Sequence, residues 1–67
     1  MYTGTILKVK VDRGFGFIGA PNQPDCFFNV KDCIGLEWGE QLVGMRVRFN
    51  IVGTDKGPKA VAVRPAE

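Results

Sequence analysis

The chain has 67 residues, 45 % of them hydrophobic, with nine basic and seven acidic side chains and a formal charge of +2. That length makes one domain, expected to span residues 1–67, with a modest core and no room for a second. Residues 1–34 hold four bases against three acids and residues 35–67 five against four, which excludes the broad basic surface that duplex DNA requires.

The hydrophobic signal has period two throughout, with Gly and Pro punctuation about every ten residues and no amphipathic helix of that length, so an all-β chain is expected. Thr5 to Val11 alternates, placing Leu7, Val9 and Val11 on one side and Ile6, Lys8 and Lys10 on the other. Asp12-Arg13-Gly14 turns the chain into a second strand, Phe15 to Gly19. Pro21 to Asp25 is a loop by turn chemistry, and Cys26 to Val30 is a third strand. Residues 31–44 read as irregular, with one short helical turn near Lys31 to Ile34. Met45 to Val52 alternates most cleanly, with Met45, Val47, Phe49 and Ile51 inward and Arg46, Arg48 and Asn50 outward. Gly53 to Pro58 is a hairpin loop, and Lys59 to Arg64 is the fifth strand.

Five short strands must each bury one face, and closing the sheet removes its edges, so the fold class is a five-stranded antiparallel closed barrel. Its expected core is Leu7, Val9, Val11, Ile18, Phe28, Val30, Val47, Phe49, Ile51, Val61 and Val63. Phe15, Phe17 and Phe27 are left pointing outward, more exposed rings than isolated surface hydrophobes explain. The glycines around Phe15 and Phe17 are expected to leave that face open. Unpaired bases stack on such rings at roughly 1–3 kcal/mol each. Lys8, Lys10 and Arg13 lie close by in sequence, while Glu37, Glu40 and Glu67 fall outside the strands. Arg46 and Arg48 are expected on a solvated face away from the rings.

Several segments together resemble the cold shock domain. Thr3-Gly4 and Asp12 to Ile18 look like its opening and its first ribonucleoprotein motif, usually written KGFGFI. Asp25 to Val30 looks like the second motif, close to DVFVHF, and Lys56-Gly57-Pro58-Lys59-Ala60 is similar to the KGPQA segment before the last strand. The resemblance spans nearly all of residues 2–64. It implies an OB-fold barrel that binds single-stranded RNA or DNA through Arg13, Phe15, Phe17, Phe27, Trp38, Lys56 and Lys59, joined on this chain by Lys8, Lys10 and Asn29. The departures fall on the binding face. Leu7-Lys8-Val9-Lys10 stands where the family commonly has Lys-Trp-Phe-Asn, and Asn29-Val30 where it has His-Phe, so rings are lost and lysines gained.

The expected function is therefore a non-catalytic, RNA-chaperone-like binder of single strands with slight sequence preference and weaker binding than a full family member. A competing reading turns the aromatic face into a protein contact or homodimer surface. A Tudor-like or SH3-like barrel also fits five short strands but leaves the two motif-like segments unexplained. An enzyme is disfavoured: the chain has no histidine and no paired carboxylates at strand ends. Cys26 and Cys33 stand seven apart without a second pair, so no metal is expected, and both thiols should be reduced, Cys26 as a core residue. No cofactor, small-molecule substrate or membrane partner is expected. The absence of an apolar run near ~18 residues and of a leader pattern implies a cytoplasmic setting.

Overall fold

The computed structural model describes residues 1–66; Glu67, one of the acids expected outside the strands, lies outside the described residues. Five strands, β1 (Tyr2–Lys10), β2 (Phe15–Gly19), β3 (Cys26–Asn29), β4 (Arg46–Thr54) and β5 (Gly57–Pro65), close into a barrel in the order β1-β2-β3-β5-β4. The expected all-antiparallel sheet needs one correction. Directions cannot alternate around a ring with an odd number of strands, so one neighbouring pair must run parallel, and that pair is β3 with β5. Its ladder is short, joined only at Phe27 and Lys59 and continued by a bridge between Cys33 and Val63.

The core is Ile6, Val9, Ile18, Cys26, Phe28, Leu42, Val47, Phe49, Ala60 and Val63. Phe28 and Phe49 are wholly buried, and a fully buried side chain of this kind contributes roughly 1.5–3 kcal/mol. Three expected core residues are on the surface instead: Leu7, Val11 and Val30 are 49 %, 40 % and 41 % exposed. The cause at Leu7 is a β-bulge. Ile6 pairs with Ile18 but Lys8 with Phe17, so two steps along β1 answer one along β2 and Leu7 is the extra residue. Before it the even positions Gly4 and Ile6 face inward, and after it Val9 does, which reverses the expected sides of Ile6 and Leu7. Val11 falls in the turn after β1, and Val30 opens a 3-10 turn, Val30–Asp32, one residue ahead of the helical turn expected there.

A second bulge lies in β5, where Arg48 pairs with Arg64 and Asn50 with Val61. Ala62, at φ 53°, is in the left-handed region there. Val61 and Ile51 beside it are only half-buried. A 3-10 turn at Glu40–Leu42, inside the segment expected to be irregular, delivers Leu42 to the core. Gly44 then donates its N–H to the Ile6 carbonyl at 2.8 Å, and Ile6 donates to Met45 at 3.0 Å. The hairpin between β4 and β5 is tighter than the expected six-residue loop: Thr54 pairs with Gly57 across Asp55-Lys56, with Gly57 at φ 109°.

Candidate nucleic-acid interface

Directly opposite residues in adjacent strands point to the same side, so register alone assembles the outer face. Phe17 is opposite Lys8 on β1 and Phe27 on β3, and Phe27 is opposite Lys59 on β5, which is opposite Val52 on β4. One row thus reads Lys8, Phe17, Phe27, Lys59, Val52 across all five strands. A second row reads Lys10, Phe15, Asn29. Both rows are outward because Val9, Gly16, Ile18, Cys26, Phe28 and Ala60 are buried between them.

Gly16 therefore faces inward and does not open the outer face as the sequence suggested. A side chain there would meet the Lys8 carbonyl oxygen and come within 3.0 Å of Phe28 Cε1, so the glycine lets β1 and the core ring approach β2. The three phenylalanines are half-buried. Phe15 and Phe17 cover part of each other edge to face, with centroids 6.0 Å apart and planes at 89°. With Phe27, Asn29 and Lys56 they line an open cleft of about 520 Å³. Lys56 reaches it from the tip of the β4–β5 hairpin.

Lys59 is committed in two ways. Its ammonium lies 5.8 Å from the Phe27 ring centroid, and 3.5 Å from Asp32 Oδ2. The same carboxylate oxygen accepts the Asn29 N–H at 3.0 Å. Asp32, which the sequence reading passed over, thus sets both the last residue of β3 and the lysine above its ring. Its spacing three residues after Asn29, in the manner of a capping box, is the signal that could have found it.

The remaining candidates lie farther out. Lys8 and Lys10 are exposed beside Phe17 and Phe15 on β1, and Arg13 is exposed in the turn whose N–H groups donate to the Lys10 carbonyl. Trp38 is not part of the cleft. Its ring packs edge to face on buried Phe28, with centroids 5.9 Å apart, and its indole N–H donates to the Val11 carbonyl at 3.1 Å. It anchors the long connection between β3 and β4 to the barrel. Both cysteines are free thiols. Burial pushes the Cys33 thiol up to about 11, with Asp32 adding to the effect, and raises Cys26 for the same reason, with Asp25 second.

A closed five-stranded barrel with a row of rings set between lysines belongs to the class of small OB-like barrels. The chain is a member of the cold-shock domain family: residues 2–66 match the family described as 'Cold-shock' DNA-binding domain. It is 33 % identical over 67 residues to the cold shock protein ScoF of Streptomyces coelicolor, covering 98 % of this chain and 100 % of that one. Against the Major cold shock protein of Streptococcus pyogenes the identity is 32 %, over 94 % of each chain. A Salmonella heidelberg retron cold shock-like protein is 40 % identical over 53 residues, 78 % of this chain and 79 % of that one. Among solved structures, one described as drosophila Unr CSD456 superposes with a TM-score of 0.75 at 22 % identity. The match covers 98 % of this chain and 26 % of that one, and carries the fold alone. The family is one of nucleic-acid binders. Among the described residues no helix is long and apolar enough to cross a membrane.

Proposed function

We propose that this protein is a non-catalytic, cytoplasmic binder of single-stranded RNA or DNA, acting as an RNA chaperone with slight sequence preference. The observation that carries the reading is the outward row of Phe17 and Phe27, with Phe15 beside them, bounded by Lys8 and Lys10 on one side and Lys56 and Lys59 on the other. Three bases stacked on three rings supply roughly 3–9 kcal/mol before the costs of ordering the strand and of drawing Lys59 off Phe27. Lys8, Lys10, Lys56 and Arg13 meet the phosphates between them, and Lys59 does so only in part while Asp32 pairs with it. Only unpaired bases expose their faces, so single strands are preferred over duplex.

Binding is weaker than in relatives that carry rings on the first strand, because Lys8 and Lys10 offer charge where those rings would stack, each missing base contact forfeiting at least ~1 kcal/mol. Its salt dependence survives at about −0.7 per phosphate, or roughly −3 for four to five contacts.

The test is a titration of fluorescent oligothymidine at low salt beside a duplex of equal length. Tighter binding to the single strand than to the duplex, weakened to the duplex level by Phe15→Ala with Phe27→Ala in a variant that still folds, is the expected result. No binding, or equal binding to duplex, refutes it. A stable dimer by sedimentation that covers the rings and ignores the oligonucleotide would select a protein-contact role for the same face.

A further inference from the structure

The wall of the barrel away from the phenylalanines carries an arrangement that its own stability does not favour. Arg48 on β4 is directly opposite Arg64 on β5, and Arg46 lies two residues along β4 on the same outward side. Buried Val47 and Val63 fix that direction. Like charges in opposed positions destabilise a sheet. Nothing in the wall offsets them: among the described residues the one acid–base pair is Lys59 with Asp32, and β1, β4 and β5 contain no Asp or Glu. Arg64 donates instead to the thioether of Met1 at 3.3 Å, a weak acceptor.

The neighbours on β1 extend the same chemistry. Thr3 is opposite Arg48 and Thr5 opposite Arg46, adding hydroxyls and no carboxylate. A shallow pocket of about 500 Å³, walled by Met45, Arg46, Pro65 and Ala66, adjoins them. Three guanidinium forks with two hydroxyls suit a chain of oxyanions, and the nearby ring of Tyr2, 41 % exposed, is already stacked on buried Phe49.

We propose that Arg46, Arg48 and Arg64 form a second binding wall for the phosphodiester backbone of a nucleic acid, so that one molecule holds two strands at once. β4 is separated from β2 by β1 and from β3 by β5, which puts this wall on the far side of the closed barrel from the cleft. The barrel measures 26 × 24 × 17 Å, beyond the Debye length of about 10 Å at 0.1 M salt, so two bound strands are screened from one another. The cleft takes a strand by its bases and the wall takes another by its phosphates. That the second ligand is nucleic acid rests on the function proposed for the cleft.

The experiment mixes donor-labelled and acceptor-labelled oligothymidine of non-complementary sequence with protein at 0.1 M salt and reads energy transfer between them. The wild type brings the labels together. R46Q/R48Q/R64Q loses that transfer at least fivefold while binding a single short strand within about twofold of wild type, and R46K/R48K/R64K, which keeps the charge, retains it. Equal transfer in the glutamine variant, or a wild type that binds one strand without bridging, overturns the proposal. Inorganic tripolyphosphate, followed by NMR, separates this from the cleft reading. Its largest shifts are expected at Arg46, Arg48 and Arg64 even when Phe15→Ala with Phe27→Ala removes stacking in the cleft, and largest shifts elsewhere refute the wall.

Discussion

Asp32→Asn tests how the cleft is held before a ligand arrives. Lys59 must leave the Phe27 ring for a base to stack there, and two contacts resist its departure. At 3.5 Å the ion pair with Asp32 has a gross attraction of about 5 kcal/mol at an effective dielectric of 20, most of it cancelled by desolvation. With the side chains 26 % and 15 % exposed, a net value of about 1 kcal/mol is appropriate. The cation–π contact at 5.8 Å adds roughly 0.5–1 kcal/mol. Against a stacking gain of roughly 1–3 kcal/mol per base, Phe27 is nearly neutral as a contact while Asp32 keeps its charge. Asparagine at this position retains a carbonyl to accept the Asn29 N–H but releases Lys59. Oligothymidine affinity should rise about fivefold, and the salt slope should steepen by about 0.7 as Lys59 turns to a phosphate. Fluorescence titrations at several salt concentrations measure both. In a Phe27→Ala background the gain should shrink, because the displaced lysine no longer covers a stacking ring. Unchanged or weaker binding with an unchanged slope would show that Lys59 does not compete with the ligand.

Three further outcomes concern the barrel itself. Gly16→Ala drives a methyl group into the Lys8 carbonyl and Phe28, and should lower stability by about 2 kcal/mol in urea denaturation; an unaltered midpoint would contradict the close approach of β1 and β2. Ala62→Gly relieves a left-handed residue at φ 53°, and should raise the thermal midpoint by roughly 2–8 °C for a gain of about 0.5–1 kcal/mol. For Cys33 the folded chain holds the thiol proton to about pH 11, against 9.0 as the ordinary value. The folded state therefore binds more protons between those limits, so stability should fall as pH rises from about 9 and level off beyond about 11. Cys33→Ala should remove most of that slope in denaturation curves taken across the window, and a slope that persists would assign it to another group.

The number of strands, their order along the chain and most of the inner face of β2 to β4 were legible because period-two alternation is a local property, set by one strand's own residues. A bulge is not local in that sense. In Thr5 to Val11 the pattern is equally regular for either side, and only the partner strand decides that Leu7 is the residue left over. Ala62 in β5 escaped notice for the same reason, since nothing in Ala-Val-Ala-Val announces a left-handed residue. The parallel seam was accessible in principle, because five alternating strands cannot close without one. Leu42 reaches the core through a turn of three residues, too short for any periodicity to register.

The candidate site divides along the same line. Phe15, Phe17 and Phe27 were readable because each strand announces its own outward residues, and the lysines of β1 because they alternate with Val9. What Lys59 does was unreadable, because its ring partner is 32 positions away in sequence and is chosen by the single β3–β5 pairing. Trp38 is a different case. Its sequence position beside the expected cleft carried no information about where its ring goes, and a half-buried indole with one polar atom settles where a core face and an acceptor coincide, here Phe28 and the Val11 carbonyl. Removing that anchor with Trp38→Phe keeps a ring against Phe28 but leaves the carbonyl to water. Stability should therefore fall by only about 1 kcal/mol, the net worth of one hydrogen bond, with oligothymidine affinity unchanged. A large loss of affinity at unaltered stability would instead place the indole in contact with the strand and return Trp38 to the binding face.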